Sequence, residues 1–321
     1  MTLAYVVAFY VILKCYDNHE ITLSVENGSD IILVMRKFYY IGSIVSMTFS
    51  YFLCHVHYRN EVTVLKTIEE VDANLRSYNL GDNIEKKETF LKRLQYAYIF
   101  FVYIIFIAAA ILFQELMYVR EGPVYWVQFV FPAIINSTIK LQFHMYNLVL
   151  ISRTEIINGN LNNRIASSTP ASKFTAFYQM EKDIESTMKI HKKITDTSRL
   201  VNRIYGVQEL FSFALCFVVL LSEGYIVLYS VTVGEADNFG YTLFSSLRLV
   251  IFYLLELLID LRACMLLCAK INHTKNILFK IKVEPENDES RNVVSDVRYD
   301  LYKTKSCAYV FHFTFSVIFK D

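Results

Sequence analysis

The sequence predicts an all-α fold, a polytopic transmembrane helix bundle whose N-terminus is cytoplasmic. Three observations predict it. Hydrophobic residues make up 54% of the 321 and the mean hydropathy is +0.33, yet 20% of residues are charged, with 32 Lys and Arg nearly cancelling 31 Asp and Glu. The apolar residues gather in windows of about 20, the length that crosses a hydrocarbon core of roughly 30 Å as helix. The basic residues are dense in alternate connections between those windows and sparse in the others. Composition excludes disorder. It also argues against the two soluble domains of roughly 150 residues each that length alone suggests, and the chain is read as one transmembrane domain over 1–321.

Each window can be justified in turn. Met1–Leu13 is uncharged and apolar, but as helix it reaches only about 20 Å. It is read as a partial first span. The competing reading is a signal segment, although no basic n-region precedes it and no small-x-small cleavage site follows. Phe38–Val56 is the first full window, flanked by Lys37 and Arg59, and Tyr96–Leu116 carries FFVYIIFIAAAILF. Tyr125–Ile151 is interrupted by Pro132 and holds Asn136, Lys140 and His144. Val207–Val233 follows, and then Tyr241–Leu267, which contains Arg248, Glu256, Asp260 and Arg262. Near the C-terminus Ala308–Phe319 is apolar but covers only about 18 Å as helix.

Orientation follows from Lys and Arg. The connections after 38–56 and 125–151, together with residues 268–307, hold 24 of the 32 basic residues. The alternate connections hold Lys14, Arg36 and Lys37 at 14–37, Arg120 at 117–124 and none at 234–240. The positive-inside rule places the three basic stretches in the cytoplasm, and with Met1–Leu13 counted as a span the N-terminus is cytoplasmic too. Asn27-Gly28-Ser29 is then a glycosylation sequon in an outside loop. Asn136-Ser137-Thr138 and Asn272-His273-Thr274 match the same pattern inside a span and in the cytosol, where it is coincidental. Cys54, Cys216, Cys264 and Cys268 lie in or at the ends of spans as packing residues.

The cytoplasmic stretches carry helical periodicity. Val62, Leu65, Ile68, Val71 and Leu75 recur at helix spacing and end near Gly81. Asn158–Ser172 is rich in Asn, Ser and Gly and reads as a turn region, within which Thr169-Pro170 is a helix start. Phe177, Met180, Ile184 and Met188, then Ile194, Thr197, Val201 and Ile204, continue a stripe into 207–233. Spans 125–151 and 207–233 should therefore extend as long helices into the cytoplasm, with stripes that need a partner surface, self-assembly being one solution.

No enzyme motif is present: there is no phosphate-cradling Gly loop, HExxH, GxSxG or CxxC. The sequence implies no catalytic residue, cofactor, metal site or nucleic-acid partner, and His144 and His191 read as helix-face histidines with hydrogen-bond partners. Intramembrane polar residues are informative because each is costly unless paired or wetted. Arg248, Phe252, Glu256 and Asp260 form one i, i+4 row, which either faces a wetted cavity or gate, or pairs to fix helix register, for instance through Lys140. For Asp260 and Arg262, near the cytoplasmic end, pairing is favoured. Toward the outer ends lie Gln114, Trp126, Gln128, Asn136, Glu223, Tyr225, Tyr229 and Arg248. These make a candidate small-molecule pocket, with interfacial anchoring the competing role for Trp126, Tyr225 and Tyr229.

Four segments carry a resemblance. They are TIEEVDANL (67–75), LQFHMYNLVLISRTEIINGNL (141–161), SRLVNRIYGVQELFSFALCFVVLL (198–221, with Asn202, Gly206, Gln208 and Leu210) and LLELLIDLRACMLLCAKINHTKNIL (254–278). In this order and topology they resemble the insect gustatory receptor family, seven-transmembrane chemoreceptors related to insect odorant receptors. The resemblance covers roughly 38–278, with about six helices of the seven present. It implies a plasma-membrane, tetrameric, ligand-gated cation channel, with a tastant pocket in the outer half of the bundle and a central anchor of cytoplasmic helix extensions. Under that reading the tetramer is homomeric or heteromeric. The family's last-helix signature, Thr-Tyr, five apolar residues, then Gln-Phe, is not found in SCAYVFHFTFSVIFKD after Lys305. No pore residue is carried over, and the expectation is a chain truncated before that helix. The alternatives are a G-protein-coupled receptor, which the charge count opposes, and a transporter, for which internal repeats are not evident.

Overall fold

The computed structural model describes residues 30–105, 107–108, 111, 130–167, 173–233 and 236–280. Met1–Leu13, the Asn27 sequon, Gln114, Trp126, Gln128, Thr169-Pro170 and Ala308–Phe319 lie outside the described residues. Every described element is helical, as the sequence predicts. They are α1 (Asp30–Ser77), α2 (Gly81–Ile99) continued by a π turn (Phe100–Ile105), α3 (Phe131–Ser167), α4 (Lys173–Val233) and α5 (Ala236–Lys280). At 1.5 Å per residue, α4 with its 61 residues is about 90 Å long, three times the bilayer core. The expected long extensions of 125–151 and 207–233 are thus present as continuous helix. Within α4, Ile184–Thr232 is long and apolar enough to cross a membrane by length and composition. The windows 38–56 and 241–267 fall inside α1 and α5, where Arg248, Glu256 and Asp260 dilute the apolar character of the latter.

α1 ends where Asn79 adopts a positive φ of 58°. The Leu80 N–H donates to the Leu75 carbonyl at 3.3 Å and the Asn79 N–H to that of Arg76 at 2.9 Å. This nested pair satisfies carbonyls that a helix terminus leaves bare, and Asn is the non-glycine residue that best tolerates the left-handed position. The chain reverses there and α2 begins at once.

The described residues form two compact units. The first draws on Met1–Phe52, Ile99–Ile139 and Phe211–Leu257. Its core joins Val130 and Ala133 to Leu215, Cys216 and Val219 of α4 and to Leu249 and Tyr253 of α5. α1 meets α4 where Gly42 allows close approach, since a Cβ there would lie 3.1 Å from Leu215 Cδ1. About two turns further along α1, the Phe49 and Phe211 rings meet tilted at 45°, with centroids 4.7 Å apart. Polarity in this unit is inverted relative to a soluble protein. Ser43, Ser46, Ser50, Ser137, Ser222 and Ser246 are buried, while Phe52, Phe217, Leu228, Phe244, Leu247 and Ile251 are exposed. Small hydroxyl residues inside and large apolar ones outside suit a bilayer, where the surrounding solvent is hydrocarbon and helices associate by close packing.

The second unit draws on Leu53–Tyr98, Lys140–Leu210 and Leu258–Asp321. Val64, Val71 and Leu75 of α1 are buried, as are Ile84 and Leu91 of α2 and Ile190, Ile194, Val201, Ile204 and Tyr205 of α4. Two expectations are corrected here. The α1 stripe is centred on Val64, and Leu65 is exposed, because the buried line runs through Val64, Val71 and Leu75 with Val62 and Ile68 half-buried beside it. The supposed turn at Asn158–Ser172 is helix as far as Ser167. Burial of Ile156, Ile157 and Leu161, with Asn158 Nδ2 donating to the Lys270 carbonyl at 3.2 Å, outweighs the weak helix propensity of Asn and Gly.

Candidate functional site

In the first unit, Asn136, Ser137 and Thr138 follow one another along α3 and, at about 100° per residue, point three ways. Ser137 Oγ donates to a Glu256 carboxylate oxygen of α5 across a buried hydrogen bond. Thr138 Oγ1 and the Tyr103 hydroxyl, on the π turn, lie 2.5 Å apart. Asn136 Oδ1 is buried with no hydrogen-bond partner among the described residues. π turns interrupt the regular backbone ladder and recur at functional sites, and an intramembrane carboxylate is costly enough to indicate a role. This polar knot is the candidate functional site.

Of the polar row on α5, Glu256 and Asp260 are buried. They continue the line Ser246, Leu249, Tyr253, Glu256, Asp260, Ala263, Leu267, all of it buried, whose alternating steps of three and four mark a packing seam. Arg248 and Phe252 are half-buried beside that seam, and Lys140 is buried in the second unit. On α4, the Tyr225 and Tyr229 rings stack with centroids 6.4 Å apart. Glu223 is half-buried and leaves the helix on the other side of its buried line, which runs through Ser222 and Ile226. The described contacts thus bring together Ser137 with Glu256, Tyr103 with Thr138 and Tyr225 with Tyr229. Ser137 and Tyr103 were not singled out from the sequence. Ser137→Ala, which takes a donor from a buried carboxylate, should cost about 0.6–1.7 kcal/mol, the range for interhelical hydrogen bonds in bilayers, read as a lower melting midpoint in detergent.

The two histidines differ. His191 is buried with Nε2 at 3.3 Å from the Ile271 carbonyl, as a helix-face histidine should be. His144 stacks on Tyr98 with centroids 6.2 Å apart, and its Nδ1 is buried without a hydrogen-bond partner among the described residues. The expectation of a hydrogen bond there is not met at Nδ1, because the ring's neighbour is an aromatic face.

The second unit is held by ion pairs that sequence reading counted only as topology markers. Arg153 of α3 has a side chain 3% exposed. Its Nε and Nη2 each donate to a carboxylate oxygen of Asp72 at 2.7 Å, and Nη2 also reaches Glu88 at 3.3 Å. Two residues on, Glu155 accepts from Lys87 Nζ at 2.6 Å and pairs with Lys270 at 3.0 Å. Lys193 reaches Glu70 at 2.7 Å on the surface. α3 therefore clamps α2 twice and is tied to α1 and α5 as well. One signal in the sequence does mark Arg153: it sits in the row Tyr146, Leu150, Arg153, Ile157, Leu161, all buried, where a charge requires partners.

Burial raises the Glu155 carboxyl, but hydrogen bonds and charge from Lys87 and Lys270 more than offset this and hold it below its ordinary value of 4.5. A depressed folded value means that the pairing stabilises the fold above the ordinary pKa and is lost as pH falls through the folded one. Glu155→Gln should melt earlier at neutral pH and lose less stability than the parent between about pH 6 and about pH 3. A pH series of melting curves reads both effects.

Inverted polarity around a helical core, long continuous helices and buried polar residues at span depth define a polytopic membrane protein of the helical-bundle class. Residues 1–292 match the family model of the 7tm chemosensory receptors, and the chain belongs to that family. It is a chemoreceptor of the membrane. No curated protein matches it significantly.

Proposed function

We propose that this chemoreceptor is a subunit of a ligand-gated cation channel in the plasma membrane, responsive to small-molecule tastants and assembled as a tetramer with like or related subunits. The observation that carries the reading is the charge pattern, with 24 of 32 basic residues on one side, which with Met1–Leu13 counted as a first span gives an N-terminus inside, opposite to a G-protein-coupled receptor. The helices support it. α4 continues unbroken for 61 residues, so a ligand that favours one helix arrangement through differential affinity has a stiff element through which to act, with no soluble transducer.

The polar knot at Asn136, Ser137, Glu256, Tyr103 and Thr138 has the character of a site that distinguishes two arrangements. Its bonds tie α3 to α5 and to the π turn, and Asn136 Oδ1 offers a further acceptor. Within the proposed pocket, Tyr225 and Tyr229 supply the aromatic wall. The test is recording from excised patches of cells expressing the full chain while a panel of small tastants is applied without nucleotides. Cation currents that persist in nucleotide-free solution are expected. Responses that require GTP would instead indicate G-protein coupling.

A further inference from the structure

We propose that the outward face of α2 is a binding site for anionic phospholipid, with Lys86, Lys92 and Arg93 holding phosphate headgroups and Phe90, Leu94 and Tyr96 seated in the bilayer interface. α2 packs through Ile84 and Leu91, which are buried. On the opposite side Lys86, Phe90 and Arg93 fall within about 60° of one another around the helix. Phe90 is 60% exposed and Tyr96 is 70% exposed, aromatic area of the kind that a bilayer interface covers. Lys86, Lys92 and Arg93 are exposed and make no ion pair among the described residues. Their neighbours Lys87 and Glu88 are already engaged by Glu155 and Arg153. The cations left over therefore exceed the local carboxylates, Asp82 and Glu85, which lie in the first turns at the far end of α2.

Depth fits the same occupant. α2 leads without a break into the apolar run that begins at Tyr96. Measured back along the helix, Arg93, Lys92 and Phe90 lie about 4–9 Å from that start, within a headgroup layer of roughly 5–8 Å and the reach of their side chains. Lys86 lies about 15 Å back, where its stem extends toward the surface and a Debye length of about 8 Å carries its charge further. Cations and aromatics on the exposed side of one helix, with Lys86, Phe90 and Arg93 at its centre, Tyr96 beside them and Lys92 and Leu94 toward its edges, are what an interfacial segment presents to an anionic surface. Placement of this face on the inner leaflet rests on the orientation given under Proposed function. Binding itself does not.

The test uses the full chain in nanodiscs of phosphatidylcholine with phosphatidylserine, which present the same lipids on both faces. Lipid that stays with the protein after mild detergent extraction is counted by mass spectrometry. The parent should retain phosphatidylserine over phosphatidylcholine, and the triple variant Lys86→Gln, Lys92→Gln, Arg93→Gln should lose that preference by roughly tenfold. Lys66→Gln with Lys192→Gln, which removes two exposed cations elsewhere, should keep it. A second reading avoids charge changes. Phe90→Trp in a Trp126→Phe background should be quenched by phosphatidylserine brominated near the top of its acyl chains, more than by the phosphatidylcholine analogue. Equal retention in the triple variant and the parent, or equal quenching by both lipids, would overturn the proposal. So would disulfide cross-linking of Phe90→Cys between copies in the nanodisc, which would place a second subunit on this face. An error in orientation leaves every one of these readings unchanged and shows up separately as an N-terminus exposed outside the cell.

Discussion

Arg153→Ala should destabilise the protein by about 3–5 kcal/mol, the cost of breaking a buried pair by removing one partner. The guanidinium is buried and forks onto both carboxylate oxygens of Asp72, whose own side chain is 13% exposed. Deleting it leaves Asp72 short of both donors in a place that water barely reaches, and releases Glu88 of α2 as well. Arg153→Lys should recover little, because a single ammonium cannot make the two parallel bonds that the planar fork makes. The check is the melting midpoint of the solubilised protein by fluorescence-detected size exclusion, together with surface expression. Both should fall sharply for the two Arg153 variants. Lys193→Ala, which breaks an exposed pair with Glu70, should change neither much, since solvent screens such pairs.

Tyr205→Ala should cost about as much, roughly 3–5 kcal/mol, for a different reason. Tyr205 is fully buried. Its ring is wedged between Phe143 and Tyr146 of α3, with centroids 5.6 and 6.0 Å away, and its hydroxyl donates to Glu61 of α1 at 3.0 Å. Truncation removes the ring from the place where α3 and α4 pack, and the cavity left behind adds to the lost contact. Tyr205→Phe separates the two contributions. It keeps the ring and loses only the bond to a carboxylate, which is worth about 1.5–3 kcal/mol. The ordering parent, Phe, Ala in melting midpoint is the expected result, and a Phe variant as unstable as the Ala variant would show that the Glu61 bond, not packing, dominates.

The helical class and the long extensions were legible because apolar periodicity and charge segregation act over tens of residues. Single positions were legible where one residue type had one physical need. Ile194, Thr197, Val201 and Ile204 were placed on the buried face of α4 by spacing alone, and they are buried. The reading failed at Asn158–Ser167, where composition argued for a turn and packing against α5 imposed helix. It also missed the ion-pair clamp, because Arg153, Asp72 and Glu88 lie far apart in sequence and no local pattern links them. Within the candidate site, Glu256 was legible as a charge at span depth. Its partner Ser137 was not, since a serine in an apolar helix carries no signal until its neighbour is known.

Orientation is the claim on which the functional account turns, and it can be read directly. An epitope tag fused to the N-terminus of the full chain is expressed in cells, alongside a tag on a surface protein as control, and stained before and after permeabilisation. The account predicts N-terminal staining only after permeabilisation, in cells whose surface control stains in both states. Staining of the N-terminal tag on intact cells would contradict it, and would place the chain in the topology of a G-protein-coupled receptor.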